Sequence, residues 1–206
     1  MEIESKLLTN YCFLDPGSGK SKDQLKKLSA RSAIVTISVD WIGRIYVRET
    51  WAARANTTVI LQKIFDTHRK WKCRIFGIEA NAQQSLFFDQ IVARAREQGV
   101  RIPLQGVNQP TRIEKDFRIR SALQEPFARG QMFINHAENP ELIEEIRGFP
   151  RARTKDLVDA LASAVSLAPH RVPRTEVDES VAERLEYLRE VGAPPNYIDR
   201  VAKGMA

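Results

Sequence analysis

Cysteine and long apolar stretches are scarce in this chain. Its 206 residues include two cysteines, Cys12 and Cys73, each inside an apolar run. We therefore expect both to be reduced core residues, and no cysteine spacing indicates a zinc site. No apolar run approaches the roughly 18 residues that a membrane span requires. The polar, acidic N-terminus MEIESK is unlike a secretion signal, so we expect an intracellular protein without a membrane anchor.

A complete nucleotide-binding loop is also missing. The stretch LDPGSGKSKD at positions 14–23 contains the Gly-Lys-Ser that ends a phosphate loop, but Leu14 stands where the loop needs its first glycine. Residues 22–27 are almost wholly polar, whereas a phosphate loop leads into an apolar helix. The broken pattern argues against an ATPase and directs attention to Asp15.

What the chain has in excess is positive charge. The formal net charge is +6, the pI is about 9.5, and 43% of the residues are hydrophobic. A basic protein with enough apolar residues for a core is typical of a partner for a polyanion, most often nucleic acid. No zinc finger, recognition helix or RNA-binding aromatic motif is evident. We therefore expect binding that tolerates many sequences.

Helical and β-rich patterns follow one another along the chain. Strands are predicted at 11–15, 33–39, 45–48, 73–79, 102–107 and 132–135. Helices are predicted at 57–71, 81–98, 112–129, 140–147 and 155–167. This order predicts an α/β fold whose mixed sheet is antiparallel over its first three strands, parallel thereafter, and flanked by helices. We predict one domain over residues 1–170 and a peripheral extension over 171–206, with a possible helix at 181–191.

Four carboxylates lie where core elements begin or end. Asp15 ends the first strand, and Glu79 ends the run CRIFGI, although strands disfavour glutamate. Asp156 and Asp159 are three residues apart near the start of an apolar helix, so they share one helical face. Because unpaired buried charge is costly and hard oxygen ligands suit Mg²⁺ or Mn²⁺, the four acids together predict a divalent-cation site.

Simpler explanations stay open for two of these acids. Asp15 precedes Pro-Gly and could be a turn residue. Asp156 could be present because a carboxylate is favourable in the first turn of a helix.

Over about residues 10–168 the chain resembles the nuclease domain of the large terminase subunit of tailed bacteriophages. The resemblance depends on the order and spacing of LDPGSGKSKD followed by SAIVTISVDWIGRIYVRETW, then FGIEANAQQSLFFDQI, RIEKDFRIRSALQEPFARGQMFI and GFPRARTKDLVDALASAV. It implies a ribonuclease H-like fold close to the RuvC-type resolvases. It also implies a metal-dependent endonuclease that cuts concatemeric viral DNA during genome packaging by two-metal phosphodiester hydrolysis.

The resemblance assigns roles to the four acids. It implies that Asp15, Glu79 and Asp156 are catalytic and bind two divalent cations, Mg²⁺ or Mn²⁺, with Asp159 as a further candidate. The chain departs from the family at Lys155-Asp156, where members often carry two adjacent aspartates. The third ligand is therefore open between Asp156 and Asp159, and we favour Asp156.

Basic residues near these acids are candidates for contacting the DNA backbone. They are Lys20, Lys22, Lys115, Arg118, Arg151, Arg153 and Lys155. Contacts of this kind give affinity and salt sensitivity but little sequence choice. A solvated basic face is the simpler alternative for any one of them.

The expected partner is double-stranded DNA in the cytoplasm of the host. The resemblance would also place the chain beside a packaging ATPase domain, missing from this chain, and beside the portal and the small terminase subunit. The chain would then be an excised domain or a separate nuclease. Two other functions stay open: a stand-alone RuvC-like Holliday junction resolvase, and a non-catalytic basic DNA-binding packaging module whose acids are structural.

Overall fold

The computed structural model describes residues 8–17, 31–40, 42–79, 85–108 and 114–168, together with positions 185, 186, 188, 189, 195 and 198. The chain divides into two units, Met1–Pro169 and His170–Ala206. The described positions of the second unit are helical, and most of the predicted helix at 181–191 lies outside the described residues. The peripheral character of this extension stays a prediction. No helix in the described ranges is both long and apolar enough to cross a membrane.

The described part of the first unit contains six strands and five helices. The strands are β1 (Thr9–Asp15), β2 (Ser32–Val39), β3 (Ile45–Ala53), β4 (Ile75–Glu79), β5 (Leu104–Val107) and β6 (Met132–Ile134). The helices are α1 (Thr57–Trp71), α2 (Ser85–Glu97), α3 (Lys115–Ala128), α4 (Pro140–Gly148) and α5 (Asp156–Leu167).

All six strands form one mixed sheet in the order β5-β4-β1-β2-β3-β6. Strands β1, β2 and β3 are antiparallel to one another in turn, β4 and β5 continue in parallel from β1, and β6 is parallel to β3. The predicted fold class is confirmed. Strand β3 runs past its predicted end because it stays paired with β2 as far as Ala53, which lies opposite Ser32. Strand β6 pairs only with Ile45–Val47, so beyond Val47 the other edge of β3 has no strand beside it in the described chain.

Side chains of β1 alternate between the two faces of the sheet. Tyr11 and Phe13 pack with α3, α4 and α5 on one face, while Cys12 and Leu14 pack with α1 and α2 on the other. We call these the α5 face and the α1 face. Helix α5 is buried throughout Leu157–Val165 and packs against β1 and β2. It is therefore the helix nearest the centre of the sheet.

Glycine at position 77 allows α5 to approach β4 closely. A Cβ atom there would lie 2.6 Å from Leu167 Cδ1 and 2.8 Å from Phe13 Cδ2. Contacts that short do not occur between unstrained carbon atoms, so any larger side chain would force Leu167 of α5 and Phe13 of β1 to shift. The consequence is that α5 lies close to both β1 and β4, the strands that end in Asp15 and Glu79.

The expectation that the cysteines are reduced is wrong for this structure. Cys12 and Cys73 form a disulfide with a Cα–Cα distance of 6.0 Å. Cys12 lies on β1, and Cys73 precedes the neighbouring parallel strand β4, where Ile75 pairs with Tyr11. The two residues are 61 positions apart in sequence. Composition does not reveal that β1 and β4 are neighbours in the sheet.

Glu49 links the sheet to α1 on the α1 face. Its carboxylate accepts hydrogen bonds from Lys63 Nζ at 2.7 Å, Lys70 Nζ at 2.6 Å and Trp71 Nε1 at 2.9 Å. Burial raises the pKa of Glu49, but these three donors outweigh it and lower the pKa to about 2. Glu49 thus stabilises the fold only while it is ionised.

Glu49 should make the stability of this protein depend on pH in acid. A pKa lower in the folded chain than in the unfolded one gives stability that is present above about pH 4.5 and is lost as the pH falls towards 2. We expect Glu49→Gln to cost roughly 1–2 kcal/mol at neutral pH, since partial exposure weakens these ion pairs. Urea unfolding of both proteins across this range measures the difference.

The exposed Glu97→Gln serves as the matched control and should follow the wild type at every pH. A constant difference between Glu49→Gln and the wild type from neutral to acid pH would contradict this assignment.

Candidate active site

Asp15 and Glu79 leave the sheet side by side. Each is the last residue of its strand, β1 and β4 are parallel neighbours, and Leu14 pairs with Ile78 just before them. Asp15 follows Phe13, and Glu79 follows Gly77, both by two positions. Because strand side chains alternate, both carboxylates are directed to the α5 face. Asp15 is buried, with 8% of its surface exposed.

The turn after β1 holds the Asp15 side chain in place. The Gly17 backbone N–H donates to Asp15 Oδ1 at 3.0 Å. Gly17 has a φ of 61°, and a Cβ atom on it would lie 2.1 Å from the Arg31 carbonyl oxygen. Only glycine fits both the left-handed conformation and this contact. Gly17, which lies within the incomplete nucleotide motif, therefore serves to orient a carboxylate.

Asp159 faces the same region from α5. It is 3% exposed and forms ion pairs with two basic residues of α3, Lys115 at 2.8 Å and Arg118. Arg118 Nη1 also donates to Ser163 Oγ at 3.2 Å, one turn further along α5. Two basic side chains of α3 thus neutralise a buried carboxylate on α5.

Electrostatic coupling joins these residues into one cluster. Burial, then the charge of Glu79 and, to a smaller extent, that of Asp159 together raise the pKa of Asp15 to about 7. The Gly17 N–H and the ammonium of Lys115 act in the opposite direction. Burial lowers the pKa of Lys115, but Asp159 outweighs it, and Asp15 and Asp156 add to the net increase. Residues from β1, β4, α3 and α5 therefore converge at one edge of the sheet.

Asp156 has different neighbours. Its carboxylate lies 3.8 Å from Arg31 Nε, and Arg31 also pairs with Glu141 of α4 at 2.5 Å. The Asp156 side chain is 29% exposed, compared with 4% for Asp159. Asp156 lies at the rim of the cluster, one turn before Asp159.

Three of the remaining basic candidates lie around the start of α5. Lys155 Nζ pairs with Asp116 Oδ1 at 2.6 Å, while Arg151 and Arg153 are exposed. Lys20 and Lys22 lie outside the described residues. Whether any of these contacts DNA stays a prediction.

Glu145 is a site-supporting residue that the sequence did not reveal. This buried α4 residue is 2% exposed, and its Oε2 accepts a hydrogen bond from the Val158 N–H at 2.9 Å. Lys155, the residue before α5, provides no side-chain cap. Glu145 thus satisfies a backbone donor that the first turn of a helix leaves unpaired. In the sequence it is one acid among several in PELIEEIR, and nothing there marks it as buried.

The donor chemistry of the cluster fits a hard divalent cation. Asp15, Glu79 and Asp159 provide only oxygen ligands, as Mg²⁺ and Mn²⁺ require. Crowded carboxylates raise the pKa of Asp15, and a cation between them would relieve that repulsion. In the described ranges, however, no three His, Cys, Asp or Glu residues are grouped so that they could hold a metal ion.

A groove lies at the other end of the sheet. It has a volume of about 750 Å³ and is lined by residues of β3, β6, α1, α3 and α4, including Tyr46, Trp71, Phe133 and His136. Tyr46 pairs with Ser38 of β2, which pairs with Asn10 near the start of β1. The carboxylate cluster is therefore separate from this groove and lies at the opposite strand ends.

Solved structures share this fold. The nuclease domain of the P22 large terminase superposes with a TM-score of 0.54 at 14% identity, covering 79% of this chain and 81% of that domain. The large terminase nuclease of the thermophilic phage G20c gives 0.50 at 16% identity, covering 79% and 83%. A structure of the G20c nuclease with bound zinc gives 0.50 at 15% identity, covering 78% and 82%.

The chain therefore has the ribonuclease H-like fold of these nuclease domains. No protein-family profile and no curated protein matches its sequence. At this low identity the likeness establishes the fold, and the chemistry must be argued from the residues of this chain.

Removing the charge of Asp15 should stabilise the metal-free protein at alkaline pH. The pKa of this carboxyl is about 7 in the folded protein and 3.8 in the unfolded chain, so its ionisation costs stability progressively as the pH rises through this interval. In EDTA we expect Asp15→Asn to be roughly 1–3 kcal/mol more stable than the wild type near pH 8, with the gain vanishing near pH 4. Thermal unfolding at both pH values measures this.

The exposed Asp89→Asn is the matched control and should show no pH-dependent gain. Equal destabilisation by Asp15→Asn at both pH values would show that the carboxylate is not under electrostatic strain.

Proposed function

We propose that this protein is a metal-dependent endodeoxyribonuclease that hydrolyses phosphodiester bonds in double-stranded DNA. The observation that carries the proposal is that Asp15 and Glu79 end neighbouring parallel strands while Asp159 faces them from α5, with Glu79 and Asp159 both raising the pKa of Asp15. Such a cluster is unfavourable unless cations occupy it. The fold it shares with two phage terminase nucleases supports the same reaction class.

The acids at the strand ends each have a definable task in this reaction. When bound at such a site, divalent cations activate a water molecule and stabilise the leaving oxygen of a phosphodiester. Asp15, oriented by the Gly17 N–H, and Glu79 provide oxygen donors from the strand ends. Burial of Asp15 against α5 limits access of bulk water to this point.

We propose Asp159 as the third cation ligand and Asp156 as a residue of the rim. Sequence alone favoured Asp156. Asp159 is the more buried of the two and acts directly on the pKa of Asp15. The Asp156 carboxylate instead lies near Arg31 at the boundary with α4.

The biological role we propose is cutting of concatemeric viral DNA during genome packaging, in the host cytoplasm. The structural likeness to the P22 and G20c terminase nucleases supports this role. A packaging ATPase domain, the portal and the small terminase subunit would be its partners. The exposed Arg151 and Arg153 at the start of α5 are suited to hold backbone phosphates.

Single carboxylate substitutions test the assignment of the site. We expect Asp15→Asn and Asp159→Asn to reduce cleavage of linear duplex DNA in Mn²⁺ by at least about 100-fold, more than loss of a supporting contact costs. Asp156→Asn should retain a larger share of the activity, and the exposed Asp89→Asn should match the wild type. Circular dichroism confirms that each variant is folded. Full activity in Asp159→Asn would refute its role as a ligand.

Two further measurements separate the alternatives. A resolvase would cleave a four-way junction in preference to linear duplex, whereas we expect cleavage of linear duplex. A non-catalytic DNA-binding module would bind DNA without binding Mn²⁺, whereas we expect calorimetry to detect Mn²⁺ binding that Asp15→Asn abolishes.

A further inference from the structure

The two cations that neutralise Asp159 are held very differently. Lys115 is the first residue of α3, and its side chain is 43% exposed. Arg118 lies one turn further into the helix, its side chain is 19% exposed, and it also donates to Ser163. A lysine ammonium is a single point charge on a flexible stem, whereas a guanidinium with two partners is fixed in orientation. Lys115 is thus the partner that can leave.

Lys115 also interacts electrostatically with several carboxylates at once. Its ammonium lies 2.8 Å from Asp159. Burial lowers the pKa of Lys115, but the charges of Asp159, Asp15 and Asp156 outweigh burial and raise it. The ammonium therefore lies in the negative field that a divalent cation at the cluster would also occupy. A cation at the cluster and Lys115 on Asp159 oppose each other through like-charge repulsion.

If Lys115 moved away, the buried carboxylate of Asp159 would not be left without a partner. Asp159 would keep its ion pair with Arg118, so the penalty for an unpaired buried carboxylate is avoided. The departing ammonium is partly exposed already and needs only a new anion nearby. A backbone phosphate of DNA is such an anion, and the protein carries a net charge of +6 that favours its approach.

We propose that Lys115 is a positioning residue that couples cation loading to DNA binding. Without DNA it pairs with Asp159 and opposes binding of a divalent cation. When DNA binds, a phosphate captures the ammonium and frees one side of the Asp159 carboxylate for the cation. This inference rests on the proposed nuclease function and adds its regulation: the site is complete only on its substrate. Because coupling free energies are reciprocal, bound cation should strengthen DNA binding equally.

Mn²⁺ affinity measured with and without DNA tests this coupling. The proteins are the wild type and Lys115→Met, which keeps the length of the side chain but removes its charge. The probes are Mn²⁺ alone and Mn²⁺ with a short phosphorothioate duplex, which retains backbone charge and resists cleavage. Without DNA, we expect Lys115→Met to bind Mn²⁺ about 10-fold more tightly than the wild type, within the usual range of coupling between sites. With DNA, the two proteins should differ by less than about 3-fold, because DNA has already displaced Lys115 from Asp159.

Lys70→Met is the matched control, because it removes the same charge from an exposed lysine that pairs with Glu49 on the α1 face. It should leave both Mn²⁺ affinities unchanged. Lys115→Gln provides a second variant if Lys115→Met does not fold. An equal gain in Mn²⁺ affinity for Lys115→Met with and without DNA would overturn the proposal, since Lys115 would then stay on Asp159 when DNA binds. Unchanged affinity without DNA would overturn it as well.

Failure of the proposed function gives a different result. In that case the wild type would bind no Mn²⁺ in either condition, or Asp15→Asn would bind it as tightly as the wild type. The coupling role of Lys115 alone is refuted when Mn²⁺ binds at Asp15 but DNA does not change the difference in Mn²⁺ affinity between the wild type and Lys115→Met.

Discussion

Crowding of like charges at a buried edge is the constraint on which the rest of this structure depends. Asp15, Glu79 and Asp159 come from three different elements, and burial makes their repulsion expensive. In the structure, Lys115 and Arg118 neutralise one of the three. The fold tolerates this arrangement because its core on both faces of the sheet is large and continuous. A cluster retained at such cost is typical of a functional site.

The packing around α5 keeps the carboxylate of Asp159 on the side of the sheet that Asp15 and Glu79 face. Gly77 lets α5 approach β4, and Glu145 from α4 satisfies the N–H of Val158 in its first turn. Gly17 holds Asp15 towards the same region. None of these three residues is a proposed cation ligand, yet each limits the position or orientation of a residue that we propose as one. Precise support of this kind is what a catalytic group requires.

The sequence predicted the strands, the helices and the class of sheet because periodicity reports which side chains face a core. It also predicted which acids end β1 and β4. It left the third ligand open between Asp156 and Asp159 and favoured Asp156, because both lie near the start of one helix and only the packing of α3 and α4 separates their environments. The Cys12–Cys73 disulfide and the role of Glu145 were missed for a related reason. Both depend on which elements become neighbours in space, which local pattern does not encode.

Anomalous diffraction from crystals soaked in Mn²⁺ tests the central claim most directly. The account predicts anomalous density bounded by the carboxylates of Asp15, Glu79 and Asp159, with Asp156 still at the rim beside Arg31. Density at sites that touch none of the three, or density held by Asp156 in place of Asp159, would contradict it.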